Sequence, residues 1–162
     1  MPDPVVSVVM LTYNRPQLIG RAIESVATQT LPGWELIVVH DGPNQHTVSV
    51  VSEWVERDAR VRYLRRERGG NIANATNYGL AAATGRYIAI LDDDDYWARP
   101  DKLELQVRFL DENLAYVGCG GGMIVIDLEG RETLRYLKPE TDDEIRRRAL
   151  YANPMAHSTG IY

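Results

Sequence analysis

Apolar and polar positions along this chain fall into blocks with two different periods. Residues 5–11, VVSVVML, form a short apolar, β-branched run, the pattern of a strand buried on both faces of a parallel sheet. Thr12, Tyr13, Asn14, Arg15 and Pro16 follow, polar residues ending in a proline suited to the first turn of a helix. Leu18, Ile19, Ala22, Ile23 and Val26 then recur at helical spacing. The same order of strand, loop and helix repeats. Residues 35–39 predict a second strand, closed by the turn signal His40-Asp41-Gly42-Pro43-Asn44, and Val48, Val51, Trp54 and Val55 mark the next helix. Residues 61–64 predict a third strand, 72–83 an alanine-rich helix ended at its C-cap near Gly85, and 87–91 a fourth strand.

Alternation of this kind implies right-handed crossovers and a mostly parallel sheet with helices on both faces, a three-layer α/β/α arrangement. After Pro100, Leu103, Val107 and Leu110 predict one more helix, and then the chain changes character. Four glycines fall within residues 118–122, and runs at 123–127 and 131–136 flank Leu128-Glu129-Gly130, which predicts a hairpin added to the sheet. Thr141 followed by Glu144 forms a capping-box pattern opening a helix over 142–150. Asn153-Pro154 breaks it, and 156–162 predicts the start of another strand. A chain that stops inside an apparent strand is expected to be a C-terminally truncated fragment.

Composition narrows the function classes. A length of 162 residues with 44% hydrophobic content is the size of one domain with one core. A net charge of -5 and a pI near 5.2 argue against nucleic-acid binding, which needs a basic face. Arginines cluster at Arg65, Arg66 and Arg68 and again at 146–148, as a solvated surface or, for the first group, as part of a site. Cys119 is the single cysteine, so an internal disulfide and a cysteine-based zinc site are excluded. No apolar run reaches the length of a membrane span and no signal peptide precedes the first strand. The expected location is cytoplasmic, with membrane association through residues or partners outside this chain left open.

The densest chemistry is Asp92, Asp93, Asp94 and Asp95, delivered by the fourth strand. Two unit charges ~4 Å apart repel by about 1 kcal/mol in water and about 4 kcal/mol at a surface-like dielectric, so a packed acidic cluster attracts a cation. Oxygen-only ligands favour Mg2+ or Mn2+ over zinc. Ligands of open α/β sheets bind outside the carboxyl ends of the strands, where residues 12–15, 41–44 and 92–95 converge. Each stretch alone has an ordinary reading: a structural tyrosine at Tyr13, an Asp-Gly turn at Asp41, a solvated acidic loop at 92–95. Together they point to a metal-assisted site for a phosphorylated ligand.

VVSVVMLTYNRP at the start, the HDG turn at Asp41, Gly70-Asn71 followed by Ala73, Asn77, Gly79 and Gly85, and ILDDDDYWARPDKLE resemble the motifs of family 2 glycosyltransferases of the GT-A fold. The resemblance is close from Val5 to about Asn113 and weak in the hairpin region. It implies a Rossmann-like GT-A domain over 1–162, with 1–115 the nucleotide-sugar-binding part and 116–162 the incomplete start of an acceptor-side part. It implies that Thr12, Tyr13 and Asp41 hold the nucleotide base, with Asn14 and Arg15 in the same donor loop. Asn71, Asn77 and the basic loop before them are placed beside the diphosphate and ribose. Asp92 faces the ribose and sugar, and Asp94, with Asp92, holds Mn2+ or Mg2+. Asp93 either faces solvent or shares the metal, and Asp95 caps the next turn. His40 departs from the acidic residue that often precedes the DG.

The reaction so implied moves a sugar from a nucleotide-diphosphate sugar, a UDP-sugar by family habit, to the hydroxyl of a saccharide or lipid-linked saccharide, with inversion. That hydroxyl must lose its proton, so a general base is required. The base is expected beyond Tyr162, with His157 as second choice. Trp97 reads either as a lid or acceptor platform or as a tryptophan packed over the following helix. The rival readings are a nucleotide- and metal-binding fragment without catalysis and a sugar-phosphate nucleotidyltransferase, whose glycine-rich loop is missing after the first strand. An exposed sheet edge leaves pairing into a homodimer open.

Overall fold

A computed structural model of the chain describes residues 3–66 and 71–162; Arg68 and Gly70 lie outside the described residues. Four strands, β1 (Val6–Thr12), β2 (Trp34–His40), β3 (Val61–Arg65) and β4 (Tyr87–Asp92), form a parallel sheet in the order β3-β2-β1-β4. Four helices join or follow them: α1 (Pro16–Ala27), α2 (Gln45–Arg57), α3 (Ile72–Ala81) and α4 (Lys102–Glu112). The strand period of two sorts the core. Val6, Val8 and Met10 of β1 and Leu36 and Val38 of β2 pack with Ile19, Ile23, Val51, Leu103 and Val107 from α1, α2 and α4. Ile37 and Val39 turn to the other face and meet Ala75 of α3. Every residue of β2 is buried, which is why this strand reads as a nearly unbroken apolar run.

The register aligns the strand tips. Thr12 pairs with His40 and Leu11 with Asp92, so the loops that leave β1, β2 and β4 emerge side by side.

Three sequence expectations change. Helix α3 ends at Ala81, and among the described residues only Gly130 has a positive φ, so Gly85 is not a left-handed cap. A Cβ at Gly85 would stand 2.5 Å from the backbone nitrogen of Ser7; the glycine lets the turn before β4 lie against β1. Residues 156–162 are not a strand. A 3-10 turn, His157–Thr159, leads to Ile161, which bridges antiparallel to both Ala89 and Cys119. Tyr162 and Ile88 exchange backbone hydrogen bonds of 3.0 and 2.9 Å. These pairings occupy the outer edge of β4, and the hairpin of β5 (Met123–Ile126) and β6 (Glu132–Tyr136) therefore forms a two-stranded sheet of its own rather than extending the parallel one. Helix α5 (Asp142–Ala149) carries both halves of the expected capping box and buries no residue.

The end of the sheet away from these tips is closed by one carboxylate. Glu35 Oε1 accepts from Ser7 Oγ at 2.6 Å and from the nitrogen and Oγ1 of Thr84 at 2.8 and 2.7 Å, and Oε2 accepts from Arg62 Nη1 at 2.6 Å. Burial alone would push this carboxyl up, but the hydrogen bonds from Ser7, Arg62 and Thr84 outweigh it and hold the group below the ordinary range. The bound carboxylate therefore contributes stability above the ordinary glutamate pKa, and that contribution is lost as pH falls through the lowered value. Glu35→Gln should cost about 2–3 kcal/mol at pH 7. The loss should shrink in thermal melts toward pH 3; an equal loss at both pH values would refute the assignment.

Candidate functional site

A cleft of about 350 Å³ opens over the aligned strand tips. Its walls are Leu11 to Arg15 after β1, Asp41 after β2, Asn71 and Ile72 at the start of α3, and Asp92 and Asp93 at the end of β4. On the β2 side, the ring of Tyr13 lies so close to the Asp41-Gly42 turn that a Cβ at Gly42 would come within 2.7 Å of ring Cδ2. Glycine at 42 therefore sets the position of Tyr13, whose exposed remainder faces the cleft opening. Thr12 is buried, and its Oγ1 has no hydrogen-bond partner among the described residues. An orphan hydroxyl in a cleft wall is a ready contact for a polar ligand atom. Arg66 Nη1 stands 3.6 Å from Asp41 Oδ1, with its guanidinium over the Tyr78 ring. His40, where an acidic residue was the commoner expectation, is fully buried with Nδ1 2.8 Å from Tyr63 Oη, and burial pushes its pKa down.

Helix α3 starts at the cleft. Asn71 caps it, accepting from the Ala73 nitrogen at 2.8 Å, so the positive end of the helix dipole is directed at the same space. Asn14 accepts a hydrogen bond from Asn44, which in turn caps α2, tying the β1 and β2 loops together.

On the β4 side each aspartate meets a different environment. Asp93 is buried and accepts from Arg15 Nη1 at 2.9 Å; the same nitrogen lies 2.7 Å from Asp94 Oδ2. Burial alone would lower the Arg15 pKa, but Asp93 and Asp94 more than offset it and hold the guanidinium above its ordinary value. Asp95 closes a turn through its nitrogen to the Asp92 carbonyl, 3.1 Å, and its carboxylate accepts from Ser158 Oγ at 2.5 Å. A hydroxyl has one proton, so Ser158 spends it on Asp95 and accepts from the Asp92 nitrogen at 3.2 Å. Burial pushes the Asp92 carboxyl up, with Asp95 and Asp94 adding to it and His157 opposing. His157 Nε2 is 4.0 Å from Asp92 Oδ1, with its side chain about half exposed.

Thr12, Tyr13, Asn14, Arg15, Asp41, Asn71, Asp92 and Asp93 thus line one cleft, with Asp94 joined to it through Arg15 and His157 beside Asp92. Asn77 is not brought there: it is exposed on α3, six residues past the cap, and a helix rises ~1.5 Å per residue away from its N-terminus. Asp93 does not face solvent, and the Asp95 carboxylate holds the 157–159 turn through Ser158. Trp97 is no lid; it is buried and donates from Nε1 to the Ser158 carbonyl at 2.7 Å. Sequence reasoning missed Ser158 and Gln106, whose Nε2 donates to the Thr159 carbonyl at 3.0 Å; neither carries a local signature. No group of three His, Cys, Asp or Glu side chains among the described residues is arranged to hold a metal. A pair of carboxylates suits Mg2+ or Mn2+ completed by phosphate oxygens and water, so the donor set fits an ion that arrives with a phosphorylated ligand.

The profile described as Glycosyl transferase family 2 matches residues 7–160. The chain belongs to glycosyltransferase family 2. An uncharacterized glycosyltransferase of Methanocaldococcus jannaschii is 35% identical over 142 residues, 86% of this chain and 48% of that protein. The Escherichia coli protein WfgD, a UDP-Glc:alpha-D-GlcNAc-diphosphoundecaprenol beta-1,3-glucosyltransferase, is 39% identical over 113 residues, 70% of this chain and 44% of its own. Among solved structures, S. aureus TarS 1-349 superposes with a TM-score of 0.69 at 25% identity, covering 97% of this chain and 46% of that one. The mannosyltransferase PcManGT of Pyrobaculum calidifontis, in complex with GDP-Man and Mn2+, gives 0.63 at 27% identity over 77% and 36%. The fold is the GT-A fold of these glycosyltransferases. This family 2 chain spans about half or less of the length of these relatives. No helix among its described residues is long and apolar enough to cross a membrane.

The 157–159 turn of the family 2 chain is braced from α4. Lys102 Nζ donates to Gln106 Oε1 at 2.6 Å and lies 4.1 Å from the centre of the Trp97 ring. Burial pushes the Lys102 ammonium down to about 7, with Cys119 weakly opposing. Between that value and the ordinary lysine range the unfolded chain binds the extra proton, so stability rises with pH across this window. Lys102→Met should therefore melt higher than the native chain at pH 6.5, by about 1–2 kcal/mol of unfolding free energy, and lose that advantage toward pH 9.5. Urea titrations at the two pH values check this; a pH-independent difference would contradict it.

Proposed function

We propose that this chain is the donor-binding part of a metal-dependent glycosyltransferase that moves a sugar from a nucleotide-diphosphate sugar to an acceptor hydroxyl, with inversion. The observation that carries the reading is the meeting, in one cleft, of the Tyr13 ring, the orphan Thr12 hydroxyl, the N-terminus of α3 and the acidic tip of β4. A planar base stacks on Tyr13 and hydrogen-bonds to Thr12 and Asp41, and the helix N-terminus at Asn71 favours the diphosphate. Asp92 lies toward ribose and sugar, and Asp94 with Asp92 would hold Mn2+ or Mg2+. When bound, such an ion supplies Lewis-acid stabilisation of the charge that develops on the departing diphosphate. A UDP-sugar is favoured by the UDP-Glc in the name of the WfgD relative, and manganese by the PcManGT complex.

The acceptor, a saccharide or lipid-linked saccharide, approaches from the side of the 157–159 turn. Within these residues we read His157, beside Asp92 and half exposed, as the candidate to take the hydroxyl proton. A second reading, donor binding without transfer, rests on the chain spanning about half of its relatives. Calorimetric titration with UDP in Mn2+, beside a donor-hydrolysis assay on the same sample, separates the two.

Asp94→Ala should lower UDP affinity in saturating Mn2+ by tenfold or more and should not lower it in EDTA, since a metal bridge is then already gone. Unchanged affinity in Mn2+ would overturn the metal assignment. Gly42→Ala should weaken UDP binding under both conditions, because the added methyl displaces the Tyr13 ring. Full UDP affinity in that variant would remove Tyr13 from the base site.

A further inference from the structure

One nitrogen, Arg15 Nη1, sits between two carboxylates, 2.9 Å from Asp93 Oδ1 and 2.7 Å from Asp94 Oδ2. The two contacts differ in kind. The Asp93 side chain is 5% exposed, whereas those of Asp94 and Arg15 are 42% and 51% exposed. The first pair is therefore an anchor out of water, and the second can open at little cost. Arg15 also lines the cleft, beside Thr12, whose buried hydroxyl has no partner among the described residues.

Resting on the donor-binding reading above, we propose that Arg15 is an exchangeable counter-ion, which holds Asp94 until a divalent cation takes that carboxylate and then turns to the donor's diphosphate. Three physical points carry it. An arginine cannot shed its charge by losing a proton, so a doubly charged ion entering beside it is repelled until the guanidinium moves away. Phosphate is the natural second partner, because the planar guanidinium fork matches it as well as it matches a carboxylate. The backbone is fixed and one guanidinium nitrogen keeps Asp93, while the exposed remainder of the fork can turn from Asp94 to a new anion. The Arg15 carbonyl accepts from the nitrogens of Leu18 and Ile19 at 3.1 and 3.2 Å, and Pro16 starts α1 directly afterwards.

Metal and nucleotide are then linked through one side chain. The ion alone must take Asp94 from Arg15 and leave the guanidinium with Asp93 only, whereas the ion arriving with a diphosphate provides a second anion for it. This is a coupling between two ligands, and it is removed by neutralising Arg15.

The test measures free Mn2+ by electron paramagnetic resonance without nucleotide, and UDP affinity by calorimetry at saturating Mn2+, for the native chain, Arg15→Gln and Arg15→Lys. Arg15→Gln should bind Mn2+ alone about tenfold more tightly and UDP in Mn2+ about tenfold more weakly, the two shifts having opposite signs. Arg15→Lys, which keeps the charge but loses the fork, should leave Mn2+ binding within about twofold and weaken UDP. If Arg15→Gln weakens both ligands together with a lower melting temperature, Arg15 is only a structural tie for Asp93 and the proposal is overturned. If the native chain binds Mn2+ and UDP while Arg15→Gln shifts neither, the counter-ion role fails and the donor reading stands. If no protein binds UDP with or without Mn2+, the donor reading itself falls and the counter-ion role falls with it.

Discussion

The mutual repulsion of Asp92 to Asp95 is the constraint around which this site is arranged. The strand that delivers them is flanked by β1 on one edge and by Ile161 and Tyr162 on the other, so the run has no freedom to spread sideways along the sheet. At close range each pair of carboxylates costs about 1 kcal/mol fully hydrated and about 4 kcal/mol near a protein surface. A hydrogen bond to a charged group returns about 1.5–3 kcal/mol, so neither term is negligible against the other. The chain answers with partners brought from far away in sequence: Arg15 for Asp93 and Asp94, Ser158 for Asp95, and His157 near Asp92. Asp94 remains well exposed, and Asp92 is pushed toward protonation by burial first and by Asp95 and Asp94 after it.

The two ends of the sheet solve opposite problems. At the far end one carboxylate, Glu35, meets donors from Ser7, Arg62 and Thr84 and locks β1, β2, β3 and the turn before β4 together. At the tip end several carboxylates share too few donors. A fully satisfied buried network rigidifies, whereas an unsatisfied one attracts ligands, and the division of labour between stability and binding follows from that difference.

Much of this was legible in the sequence because it depended on local pattern. β1 and β2 are apolar on both faces and could hardly be anything but covered strands, and the polar residues that end each strand marked the cleft wall from Thr12 to Arg15, Asp41, and Asp92 with Asp93. What failed was decided by distant packing. Gly85 looked like a cap because nothing local reveals that Ser7 lies against it. Residues 156–162 carry a strand-like pattern because Ile161 does pair, but with two different segments at once, and the hairpin expected to join the parallel sheet forms a two-stranded sheet of its own. Ser158 was passed over because a serine before a threonine and a glycine has no signature of its own; its meaning comes from Asp92 and Asp95, more than sixty positions away.

The acidic run is held from two sides that do not touch the same atoms. Arg15, from the loop after β1, holds Asp93 and Asp94, while Ser158 holds Asp95 and the Asp92 backbone and is itself fixed by Trp97, with Gln106 of α4 holding the neighbouring Thr159. The first side belongs to the donor cleft, and the second carries His157. Between them lies only the short turn closed by the Asp95 nitrogen on the Asp92 carbonyl. A change of charge at Asp94 therefore reaches Asp92, and His157 beside it, through space as well as through that turn's backbone.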